Sequence, residues 1–98
     1  MTSTADWPFE DPENVAVITV RQVLGDDGWI HFVSHDADDG GWQFMGIDSP
    51  REEDALVVSL RNIVQHDPSI IDLADLPLGW CAWRDHPEAE WQRARNSD

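Results

Sequence analysis

Val15 to Val23 is a mostly apolar stretch rich in β-branched side chains, and that pattern predicts a first strand. Ala16, Ile18 and Val20 fall on one face, Val17, Thr19 and Arg21 on the other. Gly25-Asp26-Asp27-Gly28 reads as a turn, two acids flanked by residues that tolerate positive φ. A second strand is expected from Trp29 to Ser34, with Ile30 and Phe32 facing away from Trp29, His31 and Val33. After an acid-rich turn at Asp36 to Gly41, Trp42 to Met45 reads as a third, Trp42 and Phe44 sharing a face. Three strands in succession predict an antiparallel meander.

The pattern then changes period. Ser49 suits an N-cap, Pro50 the first helical position, and Glu52 completes the Ser-x-x-Glu spacing of a capping box. Glu53 and Asp54 place negative charge at the positive end of the helix dipole. Leu56, Val57, Leu60, Ile63 and Val64 recur at three- and four-residue spacing, so a helix from Pro50 to His66 is expected, ended by Asp67-Pro68. A second short helix follows through Ile70, Ile71, Leu73 and Ala74. Gly79 to Arg84 reads as a fourth strand, with Trp80 and Trp83 on opposite faces, and Glu88 to Arg95 as a polar helix anchored by Trp91.

Together these elements predict an α+β fold: an antiparallel sheet of three to four strands, a meander plus a C-terminal strand, packed on one main helix. Residues 1–14 form an N-terminal arm that Trp7 and Phe9 tack down, residues 15–86 a single α+β domain, and residues 87–98 a C-terminal tail or short helix. One helix covers one sheet face. Val15, Val17, Trp29, Val33 and Met45 would line the other, which is too apolar to stay wet without cover from the arms, a second copy or a partner.

Charge narrows the partner. Twenty acidic residues stand against six basic ones, all arginine, for a net charge of −14. Nucleic-acid affinity comes mainly from cations displacing counterions along the phosphates, so nucleic acids and anionic membranes are both repelled. No apolar run approaches the roughly 18 residues that span a bilayer, and Met1 to Asp11 lacks a leader's basic start and apolar run, so a cytoplasmic protein is expected. The partner that charge selects is a cationic protein.

An EF-hand loop starting at Asp36 would need an acid or amide at Gly40 and a glutamate at Ile47, so Asp36, Asp38 and Asp39 read as a solvated hairpin turn with no metal. His31 and His35, two residues apart twice over, share a strand face, but zinc would need further ligands from elsewhere. The single cysteine, Cys81, has no local base to activate it and reads as a small buried side chain. No glycine-rich phosphate loop or nucleophile elbow appears. No catalytic residue and no cofactor is expected.

The run Asp39-Gly40-Gly41-Trp42-Gln43-Phe44, then an acid-rich helix start, then Ile63-Val64-Gln65-His66-Asp67-Pro68-Ser69-Ile70 and Leu76-Pro77-Leu78-Gly79 together resemble a small bacterial domain of unknown function. Some members of that group are immunity proteins that neutralise polymorphic toxins. The resemblance spans roughly Ile30 to Arg84 and implies an inhibitor acting by protein binding. The expected function is therefore an acidic, immunity-like protein-binding domain. Trp29, His31 and Trp80 would anchor the contact, and Asp36, Asp38 and Asp39 would steer a cationic partner. Two alternatives accompany it: a metal-dependent or hydrolytic enzyme using the acidic turn, and a homodimeric structural protein without separate activity.

Overall fold

The computed structural model describes residues 7–25, 28–47 and 51–96. Its order is β1 (Ala16–Val20), α1 (Arg21–Leu24), β2 (Phe32–His35), β3 (Trp42–Met45), a 3-10 turn (Glu52–Asp54), β4 (Ala55–Ser59), α2 (Leu60–His66), a 3-10 helix (Pro68–Leu73), β5 (Trp80–Trp83) and β6 (Gln92–Arg95). The fold is α+β, but the sheet has six strands in the order β4-β1-β3-β2-β5-β6. It is mixed: β1 runs parallel to β3, and every other neighbouring pair is antiparallel.

Three sequence expectations are overturned. First, there is no β1-β2-β3 meander. After Val20 the chain turns into α1, whose Val23 is buried, and β2 begins only at Phe32. That longer connection lets β3 insert between β1 and β2. A close approach helps: a Cβ on Gly28 would lie 2.0 Å from the Gln22 carbonyl oxygen, so only glycine fits there. Asp26 and Asp27 of the expected turn lie outside the described residues.

Second, there is no single long helix. The apolar run Ala55-Leu56-Val57-Val58-Ser59 pairs antiparallel with β1, Val57 opposite Ile18 and Val58 opposite Val17. Adjacent valines favour the pleated conformation, where branching at Cβ costs least. The helix starts only at Leu60, capped by Ser59, whose hydroxyl accepts the Asn62 N–H at 3.1 Å. The expected cap at Ser49 and first turn at Pro50 lie outside the described residues. Third, Gln92–Arg95, expected within a polar helix, is a strand against β5.

The strand phase is corrected as well. Val17 and Val33, expected on the outer face, are buried with Phe44, Trp42 and Ala82 beneath Leu60, Ile63, Ile70 and Leu73. Ile18, expected inside, is exposed. Alternation carries that inversion along the sheet: β1 and β2 turn their odd-numbered residues to the core, with Val20 at the bend into α1 buried as well, while β3 presents Trp42 and Phe44. The short helices thus cover one face. Phe9 is buried with that core, and Trp7 packs partly against it.

Trp42 centres the covered side, stacked on His35 at 3.9 Å, edge-on to Phe9 at 5.5 Å and parallel to Phe44 at 5.9 Å. Truncating a buried large aromatic costs about 3–5 kcal/mol. Trp42→Ala is expected to lose that much in chemical denaturation; a loss below about 1 kcal/mol would mean that Trp42 faces solvent.

Candidate functional site

The six acids and aromatics expected at a binding site do not come together in one patch. Trp29 and His31 lie before β2, ring centroids 5.7 Å apart. The His31 Nδ1 is hydrogen-bonded to the Arg84 carbonyl, and the Arg84 guanidinium sits 5.8 Å from the Trp29 ring. Trp80 is half-buried on the covered side, in register with His35, whose Nδ1 bonds the Leu76 carbonyl at 2.8 Å. Trp80 packs against the core cluster. Asp36, Asp38 and Asp39 stand in the turn to β3, at the end of β2 away from Trp29 and His31 and next to the start of β5.

That turn is held by its own acids. Asp36 accepts from the Ser34 hydroxyl and the Gln43 amide, both at 2.8 Å, and Asp39 accepts the Gly41 N–H at 2.8 Å. Gly40 adopts φ +73°, the left-handed conformation that closes the loop, and its N–H reaches the Asp36 carbonyl. Among the described residues no three His, Cys, Asp or Glu side chains converge to hold a metal ion. His31 and His35 are each committed to a separate backbone carbonyl.

The uncovered face combines Met45, expected there, with Ile18 and Val57, expected inside. Cross-strand register lines up Val57, Ile18, Gln43, Ser34, Cys81 and Ala94 in one row. The next row is Met45, Phe32, Trp83 and Gln92, its three apolar members all half-buried. Val57 is 71% exposed and Ile18 43%. Where β1, β3 and β4 meet the acid turn, Ala16, Ile18, Val57 and Gln43 floor a groove of 310 Å³, and Asp36 and Asp39 wall it. The signal for this face was the Val57-Val58 pair, whose strand preference was outvoted by helical spacing.

No family model, curated protein or solved structure matches the chain.

Electrostatics sharpens the groove. Arg21, Arg51, Arg61, Arg84 and Arg93 pair with Asp54, Glu53, Glu13, Asp67 and Asp75, so five of the six arginines are already matched. The uncompensated charge is carboxylate, including the groove wall. The thiol of Cys81, half-buried in the same face, is pushed up by burial and is a weak nucleophile at neutral pH. No helix among the described residues is long and apolar enough to cross a membrane.

Asp54 pins the start of β4. Its buried carboxylate accepts the Arg51 N–H at 3.0 Å, Gln22 at 2.7 Å and Arg21 at 2.8 Å. The Arg51 backbone bond, then the Gln22 bond and the Arg21 charge, hold its pKa below the usual carboxylate range, against the opposing effect of burial. A lowered folded pKa means stability that is present in full above the unfolded value, about pH 4, and lost as the pH falls through the lower folded value. Asp54→Asn is therefore expected to melt lower at pH 7, with the gap to wild type closing as the pH drops below about 4. A gap that stays constant down to acid pH would contradict this role.

Proposed function

We propose that the chain is a protein-binding module without chemistry of its own, and that it engages a cationic protein through the uncovered sheet face. The observation that carries this reading is the groove itself: an apolar floor of Ala16, Ile18 and Val57 beside the carboxylates of Asp36 and Asp39. Apolar area supplies affinity once water leaves it, about 25 cal/mol per Å² in the transfer scale. Acidic walls steer a basic partner to it and raise the association rate at low salt. Trp83 and Phe32 extend the apolar surface across the sheet, and tryptophan is prominent among residues that dominate interface energies. An inhibitor that blocks a basic protein, as immunity proteins block toxins, is the specific role that this combination of charge and groove supports.

A photo-crosslinking side chain at Gln43, in the groove floor, tests the reading against the same group at the exposed Glu88, in the turn between β5 and β6. In the source cell a basic protein is expected to crosslink at Gln43 and not at Glu88, with a yield that falls as salt is raised. Identical products at both positions, or none at Gln43, would contradict the proposal.

A further inference from the structure

We infer that the outer edge of β4 is a self-association site, and that two copies pair there antiparallel across a twofold axis at Val57. This inference rests on the backbone of β4 and not on the cationic-partner reading, with which it shares Val57.

β4 ends the sheet, with β1 on one side only. The Leu60 N–H donates to the Val15 carbonyl at 2.9 Å, and the register pairs Val58 with Val17 and Leu56 with Thr19. Hydrogen-bonding direction alternates along an antiparallel strand, so Leu56 and Val58 turn their peptide groups toward β1. Ala55, Val57 and Ser59 turn theirs to the open edge. Two of those groups are already used: the Ala55 N–H donates to the Glu52 carbonyl, and the Ser59 carbonyl, as that of an N-cap residue, accepts the first bond of α2. What is left unpaired among the described residues is the Ala55 carbonyl, the Val57 N–H and carbonyl, and the Ser59 N–H.

That remainder is self-complementary. An antiparallel mate centred on Val57 sets Val57 against Val57 and Ala55 against Ser59. Each Val57 N–H meets the other Val57 carbonyl, and each Ser59 N–H meets the other Ala55 carbonyl. The twofold uses all the groups the fold leaves over and asks for none that it has already spent.

Side chains agree with the backbone. Sheet edges are ordinarily blunted by charge, proline or a bulge. β6, the other edge, carries Arg93 and Arg95; β4 is Ala-Leu-Val-Val-Ser, with neither charge nor proline. Val57, 71% exposed, would be covered by its own mate on the outer face, and Leu56 would meet Val58 on the other. The same axis brings the Glu52-Glu53 end of each strand toward the Arg61 end of the second copy, where all three side chains are exposed and the in-chain pairs Arg61–Glu13 and Arg51–Glu53 are long surface contacts of 3.8 and 3.5 Å. Local charge thus favours the pairing, whereas a net charge of −14 on each chain opposes it at longer range. Salt screens long-range repulsion more than close pairs. Self-association therefore strengthens with salt, the reverse of binding to a cationic partner.

Sedimentation velocity on the intact chain alone tests this, across a concentration series at about 0.1 M and about 0.5 M salt. The expected result is a concentration-dependent monomer–dimer equilibrium, tighter at the higher salt. Hydrogen exchange is expected to show the Val57 and Ser59 amides gaining protection with concentration while Leu56 and Val58 stay protected throughout. Val57→Lys sets like charges face to face on the axis and is expected to weaken dimerisation by about tenfold or more, with an unchanged circular dichroism spectrum because position 57 is exposed. A monomer at every concentration and both salts would overturn the inference. So would a dimer in which Val57 and Ser59 stay unprotected, or one that Val57→Lys leaves intact.

Discussion

The arrangement depends on one buried cation. Arg84 follows β5 and is 2% exposed, yet its donors are taken: Nε by the Ile30 carbonyl at 2.9 Å, Nη1 by the Ser69 hydroxyl and Pro87 carbonyl, and Nη2 by the Asp67 carboxylate at 2.7 Å. The Trp91 ring lies 4.2 Å from the guanidinium and adds a cation–π contact. A buried charge is tolerated only when its donors are satisfied, and removing one member of such a pair costs on the order of 3–5 kcal/mol. Through this one side chain the end of β5, the segment before β2, the 3-10 helix and the turn to β6 are held together. Asp67 has a second task, accepting the Ser69 N–H at 3.1 Å and so starting the 3-10 helix.

Because the clamp gathers the 3-10 helix onto the side that carries Val33, Phe44 and Ala82, the helical layer has one place to go. The arm carrying Phe9 and the turn carrying Trp91 go there too. Among the described residues nothing covers Ile18 and Val57, while Met45, Phe32 and Trp83 beside them are half-buried. The proposed contact follows from that one-sidedness more than from any single residue: a sheet roofed once, with carboxylates at one end of its bare face, is suited to binding.

Local chemistry was legible where a single residue dictates it. The hairpin between His35 and Trp42 is encoded by Gly40 and by acids that cap their own turn, and the 3-10 helix by Asp67-Pro68-Ser69. β3 and β5 lie where alternation and tryptophan placed them. What could not be read was competition between periods. Leu56, Val57, Leu60, Ile63 and Val64 satisfy helical spacing, but only from Leu60 onward is the segment helical, because pairing with β1 gives Val57 and Val58 a better use. The same holds for Val17 against Ile18: an all-apolar strand does not declare which face is buried, and the answer depends on where α1 bends the chain. Arg84 and Asp67, 17 residues apart, gave no sequence signal of being partners. The groove was missed for the same reason as β4, since its floor residues had been spent on the core.

The claim beneath all of this is that Ile18 and Val57 face water while Val17 and Val33 do not. Solvent paramagnetic relaxation of methyl resonances measures it directly, using a soluble gadolinium chelate on dilute protein with assigned methyls. The account predicts strong relaxation of Ile18 and Val57, and methyls of Val17, Val33 and Ile63 that remain nearly untouched. Ile18 and Val57 as shielded as Val33 would contradict it, since the bare face would then not exist.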